Sequence, residues 1–577
     1  MKTQDTDSLS IHRGERRVAY FSMEVGIDSS MPTYSGGLGV LAGDTIKAFA
    51  DLRVPAVAVT LLYWRGYFRQ LLDKSGAQQE LLVQWDPSDH CTLLETKTEV
   101  VLSGRTVVLR AWRYACIGRD GFEVPIIFLD TNCEENSDYD RHITDSLYGG
   151  DDEYRLTQEA VLGIGGLRML AALGFNGIER YHMNEGHSSL LALELLRQRP
   201  ERGAIEEVRD LCVFTTHTPV PAGHDKFQYS LVQKVLGEFY PVALLRVIGG
   251  SDVLNMTLLA LNLSRYVNGV AREHSKVSRE MFPGYKINAV TNGIHVQSWA
   301  HPAFAALFSE YIPQWKSEPS SLRYALSLPE QKIEGAHRAS KRDLIGFVKE
   351  STGVTLEEDA LTIGFARRAT AYKRADLIFH DREQLQAIVR KEGKLQFVFS
   401  GKAHPRDHDG KSIIKELYSM QSMLSGHIPV AYIQDYNMET ARRVVSGVDL
   451  WLNTPRKPKE ASGTSGMKAA LNGVPSLSIL DGWWVEGCIE GVTGWAIGSA
   501  SDQANNDAND AQSLYAKLEN TIMPLYYRQR DEWIAIMRFA IAINASFFNA
   551  YRMVHEYVLS AYYLTGKRSK EPQYSVR

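Results

Sequence analysis

The chain has 577 residues, a formal net charge of −4, 23% charged and 44% hydrophobic residues. A charge balance this close to neutral argues against a nucleic-acid-coating surface as the main business, and the apolar content excludes disorder as the dominant state. The length predicts roughly two to four domains.

Taken in chain order, the first 17 residues carry no apolar run of the signal-peptide type. The longest apolar stretch, residues 161–175, is too short to span a bilayer and contains Arg168. Five widely spaced cysteines with no CxxC pair fit neither a disulfide framework nor a zinc ribbon. The expectation is a cytoplasmic protein with no membrane span and no structural metal.

Continuous apolar runs at 18–24, 56–62, 124–130, 179–184 and 211–217 predict buried strands. Residues 92–114 alternate around Ser103, Gly104 and Arg105 and predict an inserted β-hairpin. A charged, mostly helical connection follows near 300–355. Five further apolar runs, at 361–366, 396–401, 430–435, 449–454 and 476–481, alternate with helical stretches such as 411–424 and 438–448. That alternation predicts a parallel, doubly wound sheet. Residues 501–513 read as a polar loop, and 514–565 as aromatic-rich helices that pack back across the molecule. The expected division is 1–320, 321–510 and 511–577. Two such sheets make an interdomain cleft at the strands' carboxyl ends the expected site.

Three segments there carry chemistry. Residues 35–43, SGGLGVLAG, place Gly36, Gly37 and Gly39 before a helix with Ala42, Ile46 and Phe49 on one face. Free N–H groups at a helix start bind anions, although any tight turn uses glycines as well. The spacing is not GxGxxG, and with Asp44 it argues against a dinucleotide site. Residues 365–376 gather Arg367, Arg368, Lys373 and Arg374 at a strand's end. Forked and point cations there suit a phosphate, though a solvated helix face also explains a charge run. Residues 459–473 set Glu460 before Ser462, Gly463, Thr464, Ser465 and Gly466, a nest of hydroxyls and N–H groups, with Lys468 one turn into the next helix. A lysine beside a phosphate nest is a candidate Schiff-base partner for pyridoxal phosphate; an exposed helix lysine is the alternative. Polar residues at other strand ends, Asn184, Glu185, His187, His217, His224, Asp225, Asn292 and His295, suit sugar hydroxyls. No HExxH or comparable spacing supports a metal.

Together these segments resemble the α-glucan (glycogen, starch or maltodextrin) phosphorylase family, in the family's order. The resemblance runs through GGLGVLAGD, MNEGHSSLLALELLR, TTHTPVPAGHDKF, VNGVAREHS, VTNGIH, RRATAYKR, EASGTSGMKAALNG and LDGWWVEG. It covers about residues 18–490. It implies an α/β fold of two Rossmann-like domains facing a cleft, the GT-B type. The implied activity is reversible phosphorolysis of a terminal α-1,4-glucosyl bond, giving glucose 1-phosphate with retention. Lys468 would carry pyridoxal 5′-phosphate. Thr464, Gly463, Ser465, Arg367 and Lys373 would hold the coenzyme phosphate, with Tyr436 against the coenzyme. Arg368, Lys373 and the Gly37 backbone would hold the substrate phosphate. Asn292, His217, Glu460, Ser462 and Gly463 would hold the glucosyl unit. A homodimer is the family expectation.

The chain departs from the family pattern at GTSGMK for GTGNMK, at Arg367 for lysine, at Asn437 for arginine and at Glu185 for aspartate. Two other readings share the fold: a sugar-nucleotide-dependent retaining glucosyltransferase, and a glucan-binding pseudo-enzyme without turnover.

Overall fold

The structure, a computed structural model, describes residues 13–199, 201, 203–424, 426–498 and 506–562. Its strands in chain order are β1 Val18–Ser22, β2 Ala56–Leu61, β3 Arg69–Leu72, β4 Gln78–Leu81, β5 Thr92–Leu102, β6 Arg105–Ile117 and β7 Glu123–Asp130. There follow β8 Arg180–Asn184, β9 Cys212–Thr215, β10 Lys226–Gln228, β11 Val253–Asn255, β12 Tyr266–Gly269 and β13 Asn288–Ala289. The last are β14 Leu361–Ala366, β15 Leu395–Ser400, β16 Val430–Ile433, β17 Leu450–Asn453, β18 Ser476–Ile479 and β19 Gly494–Ile497.

Among the described residues two large sheets form. The first has nine strands in the order β13-β12-β9-β8-β1-β2-β7-β6-β5. It is parallel from β13 to β7; the expected hairpin, β5 and β6, extends it antiparallel beyond β7. The second has six parallel strands, β16-β15-β14-β17-β18-β19. Both crossover-connected sheets are covered on their two faces, which is why their strands read as unbroken apolar runs.

Alternation along the strands separates the two faces of the first sheet. Ala19, Phe21, Val57 and Val59 pack with Leu162, Leu170 and Leu191. Val18, Tyr20, Ala56 and Ala58 pack on the other face with Ile46 and Phe49 of the helix α1, Gly37–Asp51, and with Tyr551 and Val554 near the end of the chain. Ile46 and Phe49 are wholly buried. Burying a side chain of that size contributes about 1.5–3 kcal/mol, which seats α1 firmly on the sheet. The apolar stretch 161–175 folds as a π-helical turn and the helix Gly166–Ala172 in the core. No helix among the described residues is long and apolar enough to cross a membrane.

The chain returns to the first sheet at its end. Trp533 first stacks on Trp495 of β19 in the second sheet, with ring centroids 5.8 Å apart. The helix Ala550–Tyr557 then lies against α1, and the Tyr551 hydroxyl donates to Asp51 at 2.7 Å. Tyr557 and Tyr562 close a buried network with Thr215, Asn268 and His182.

Several elements differ from expectation. The second sheet has a sixth strand, β19, and the first gains β12 and β13; all are short and contain Gly or Asn rather than apolar runs. Asn506 caps the helix Asp507–Lys517, so 507–513 are helical rather than loop, because that side chain satisfies two free N–H groups. Residues 501–505 and 563–565 of those expectations lie outside the described residues.

Candidate active site

The residues singled out above cluster at strand carboxyl ends. Glu24 follows β1, Glu185 follows β8, His217 follows β9, Arg367 follows β14 and Asp481 follows β18. The two sheets meet there through the hairpin β3–β4, which leaves the first sheet's side and docks on the second. Gln70 and Asp435 each donate a backbone N–H to the other's side chain at 2.8–2.9 Å, and the Gln78 side-chain amide donates to Ala403 O at 2.9 Å and accepts Ala403 N–H at 3.0 Å.

The glycine-rich segment divides by role. The helix α1 begins at Gly37, so only Ser35 and Gly36 remain as its entry turn. A Cβ at Gly43 would stand 1.9 Å from Gly26 O, and one at Gly39 would stand 2.6 Å from a Glu24 oxygen. Those glycines serve packing. A Cβ at Gly36 or Gly37 would meet nothing within 4 Å, so there the glycines face open space. Gly43→Ala is therefore expected to lower the thermal unfolding temperature sharply. Gly37→Ala is expected to leave it within about 2 °C, as an open helix-start position allows, and to weaken anion binding instead. Melting curves of both variants check this; a destabilised Gly37→Ala would show that this glycine also serves packing.

The basic segment divides as well. Arg367 donates from Nη2 to both Glu460 oxygens at 2.7 and 2.8 Å, and Lys373 Nζ approaches the same carboxylate at 3.2 Å. Glu460 is fully buried, and the two cations hold its carboxyl down at about 2 against the opposing effect of burial. Arg367 Nε and Nη1 are buried with no hydrogen-bond partner among the described residues. Arg368 is exposed and makes no hydrogen bond or ion pair among the described residues; its charge acts on Glu24, Tyr67 and His404. Arg374 does not join them. Its backbone turns left-handed, φ 46°, and its guanidinium runs to Thr454 O, Pro455 O, Asp507 and Asp510. It anchors the final helices, because the reversal at that residue aims it away from the cleft.

Lys468 lies one turn into the helix Ser465–Leu471, its N–H bonded to Thr464 O. The side chain is buried, and its ammonium makes no hydrogen bond or ion pair among the described residues. It rests 3.6 Å from the centroid of the Trp299 ring. Burial pushes the amine down to about 8, partly offset by Asp44. Asp44, two turns along α1, accepts the Trp299 indole N–H at 2.8 Å. The second turn of α1 thus reaches Lys468 through Trp299. Thr464 and Ser465 are half-buried at the helix start. Tyr436 is packed against the second sheet's core, its hydroxyl pushed up by burial and drawn back by the Arg367 charge.

A clasp fixes the loop that precedes Lys468. Asp481 accepts the Glu460 and Gly482 N–H groups at 2.9 Å each, and Trp483 N donates to Ser462 O at 2.9 Å. Gly463 lies at φ 79°, a Cβ there would stand 3.0 Å from Glu460 Oε1, and Ser462 Oγ is buried without a partner among the described residues. Burial and the neighbouring Glu460 charge push Asp481 up to about 7.

On the first sheet's side, His217 Nε2 meets Asn184 Oδ1 at 2.7 Å, and Asn184 Nδ2 donates to Ser22. That network assigns the ring proton to Nε2 and leaves Nδ1 as an acceptor. Burial holds His217 neutral. Glu185 sits at φ 83°, and its carboxylate accepts from His217 N and Thr218 Oγ1, which holds the strained turn. Asn292 bonds through its backbone to Val270 and Arg552, while its buried Oδ1 has no partner among the described residues.

Direct contact therefore joins Arg367, Lys373 and Glu460, with Gly463 and Ser462 beside them. Lys468, His217, Asn292 and Gly37 stand in separate patches around the same strand ends. Sequence reading missed Glu24, Trp299 and Asp481. Glu24 ends the first predicted strand run and Asp481 ends the last, the one signal that marks them. Among the described residues no group of His, Cys, Asp and Glu is arranged to hold a metal ion.

The family model described as carbohydrate phosphorylase matches residues 240–494. The maltodextrin phosphorylase of Thermococcus litoralis is 41% identical, over 96% of this chain and 71% of that protein. The glycogen phosphorylase of Aquifex aeolicus is 34% identical, over 95% of this chain and 86% of that protein. The glycogen phosphorylase of Mycobacterium tuberculosis is 36% identical, over 94% of this chain and 70% of that protein.

Proposed function

The chain belongs to the carbohydrate phosphorylase family, and on that premise we propose that it is an α-1,4-glucan phosphorylase. It transfers terminal glucosyl units of a maltooligosaccharide or glycogen to inorganic phosphate, reversibly and with retention, giving glucose 1-phosphate. The fold is the two-sheet GT-B arrangement of the glycosyltransferases, with the reaction in the cleft between the sheets.

The observation that carries this reading is that the same strand ends hold a buried amine with no hydrogen-bond or ion-pair partner among the described residues and a buried guanidinium only half satisfied by them. Lys468 near 8 is a competent nucleophile for a carbonyl group at neutral pH. Arg367 keeps two buried N–H positions for an anion, and Ser462 keeps a hydroxyl. Those groups fit pyridoxal 5′-phosphate, attached at Lys468, with its phosphate among Gly463, Thr464, Ser465 and Arg367 and with Tyr436 alongside. When bound, that group supplies a phosphate that donates and recovers a proton at the substrate phosphate.

The chain's own residues supply the rest. Arg368, Lys373 and the Gly37 N–H hold the substrate phosphate, and their charge offsets the repulsion between two phosphates. Neutral His217 accepts a sugar hydroxyl at Nδ1 rather than moving a proton. Asn292 offers its unpaired Oδ1 to the glucosyl unit, and Ser462, Gly463 and Glu460 line its other side. No pair of protein carboxylates is needed, in contrast to a glycosidase.

Incubation with maltoheptaose and inorganic phosphate is expected to release glucose 1-phosphate, with none when phosphate is omitted. Glucosyl transfer from a sugar nucleotide without phosphate would overturn the reading, and glucan binding without turnover would indicate a pseudo-enzyme. Arg368→Ala is expected to raise KM for phosphate about tenfold to a hundredfold, the worth of a charge-assisted hydrogen bond. KM for the glucan should stay within about threefold, and stability should not change because this side chain is exposed and unpaired. Equal effects on both substrates would remove Arg368 from the phosphate site.

A further inference from the structure

Glu24 organises the end of the cleft where the phosphate is proposed to bind. It is 2% exposed, two residues past the end of β1. Oε2 accepts the Ser35 N–H at 2.6 Å and the Gly36 N–H at 3.2 Å. Oε1 accepts the Tyr148 hydroxyl at 2.9 Å. Gly39 admits the carboxylate, since a Cβ there would stand 2.6 Å from Oε2.

These contacts make Glu24 the clamp on the entry turn of α1. Gly36, the residue capping that helix, has no side chain to bond the first turn, and no side-chain cap is made. Glu24 supplies the restraint from another segment by holding the two N–H groups just ahead of the helix. The N–H groups of Gly37, Leu38 and Gly39 precede the first intrahelical bond, from Val40 N to Gly36 O, and a Cβ at Gly36 or Gly37 would meet nothing within 4 Å. Arg368, on the opposite sheet, acts on Glu24 through its charge. A buried carboxylate is costly unless it is hydrogen-bonded; burial pushes this one up, and three donors offset part of that cost.

We propose that Glu24 is a positioning residue for phosphate: it fixes the turn at Ser35 and Gly36 that leads into α1, so that backbone N–H groups at the helix start are held in place to meet an anion that Arg368 also binds. The proposal rests on the phosphorylase reading of the cleft. Glu24 itself does not touch the substrate. Its negative charge, taken alone, repels phosphate, so a geometric role and a charge role predict opposite results for the alanine variant: weaker binding if the clamp is lost, tighter binding if only the repulsion is lost.

The test is calorimetric titration of inorganic phosphate into cofactor-loaded wild type, Glu24→Ala, Glu24→Gln and Tyr148→Phe, with phosphorolysis followed on the same preparations. Glu24→Ala is expected to weaken phosphate about tenfold to a hundredfold, the loss of hydrogen bonds to a charged acceptor, with KM for the glucan within about threefold. Glu24→Gln keeps an oxygen for Ser35 and Gly36 and is expected to bind phosphate as tightly as wild type or tighter. Tyr148→Phe removes one restraint without altering Glu24 and is expected to weaken phosphate by a few-fold; it also serves if the alanine variant does not fold. Phosphate affinity unchanged in Tyr148→Phe and Glu24→Ala would overturn the proposal, as would equal losses for phosphate and glucan that Gln does not rescue. Wild type that binds phosphate but does not turn over would contradict the phosphorylase reading while the comparison of variants still decides the role of Glu24. Wild type that binds no phosphate would overturn both.

Discussion

Replacing Lys468 by alanine is expected to abolish phosphorolysis and covalent pyridoxal together while leaving the fold in place. The loss should exceed about a thousandfold, since Lys468 is the proposed point of covalent attachment and the groups around the cofactor phosphate do not replace that bond in holding it in register. The structural cost should be small. The amine is buried without a carboxylate partner, and burial already disfavours its charged form. Its removal therefore relieves a desolvation cost that offsets the cavity left beside Trp299. Circular dichroism, absorbance of bound pyridoxal and glucose 1-phosphate release on the same preparation check this. A variant that still turns over would place the cofactor elsewhere or remove it from the reaction.

Replacing Glu460 by alanine is expected to damage stability as well as activity. Arg367 and Lys373 then face each other across a buried site with no anion between them. Breaking a buried pair in this way costs about 3–5 kcal/mol, because the remaining charges stay desolvated. Glu460→Gln keeps the volume and part of the bonding and should fall between. Bound phosphate should partly restore Glu460→Ala, since it supplies the missing negative charge; thermal unfolding with and without phosphate measures that.

The same loop sets opposite pH dependences. Glu460 is held near 2, below the ordinary carboxyl range, so its contribution is complete above about pH 4.5 and is lost as pH falls toward 2. Asp481 is raised to about 7, so the folded state favours its protonated form. The stability it contributes is present below about pH 4 and is lost as pH rises through 7. Wild type should therefore unfold at lower temperature at pH 8 than at pH 5, and Asp481→Asn should flatten that difference. An undiminished difference in Asp481→Asn would assign the dependence to other groups.

The strands of both sheets were legible because a parallel strand covered on two faces must be apolar at every position, and such runs survive in any context. β12, β13 and β19 escaped because two to four residues containing Asn or Gly give no period to read. Segment chemistry was legible where residues adjacent in sequence share a site, as in the loop from Glu460 to Lys468. Direction was not. Arg374 belongs to the same charge run as Arg367, yet its left-handed backbone sends it to the final helices. Contacts made across the fold were invisible too. Arg367 and Glu460 are 93 residues apart, and Trp299 meets Lys468 only once α1 carries Asp44 between the sheets. A single glutamate after a strand, Glu24, has no motif at all; its role appears only when Ser35, Gly36 and Tyr148 close around it.

The most direct measurement is borohydride reduction of the purified protein followed by peptide mapping. The account predicts one pyridoxyl group, on Lys468, in protein that releases glucose 1-phosphate from maltoheptaose and phosphate. Active protein with no pyridoxyl group, or with one on a different lysine, would contradict it.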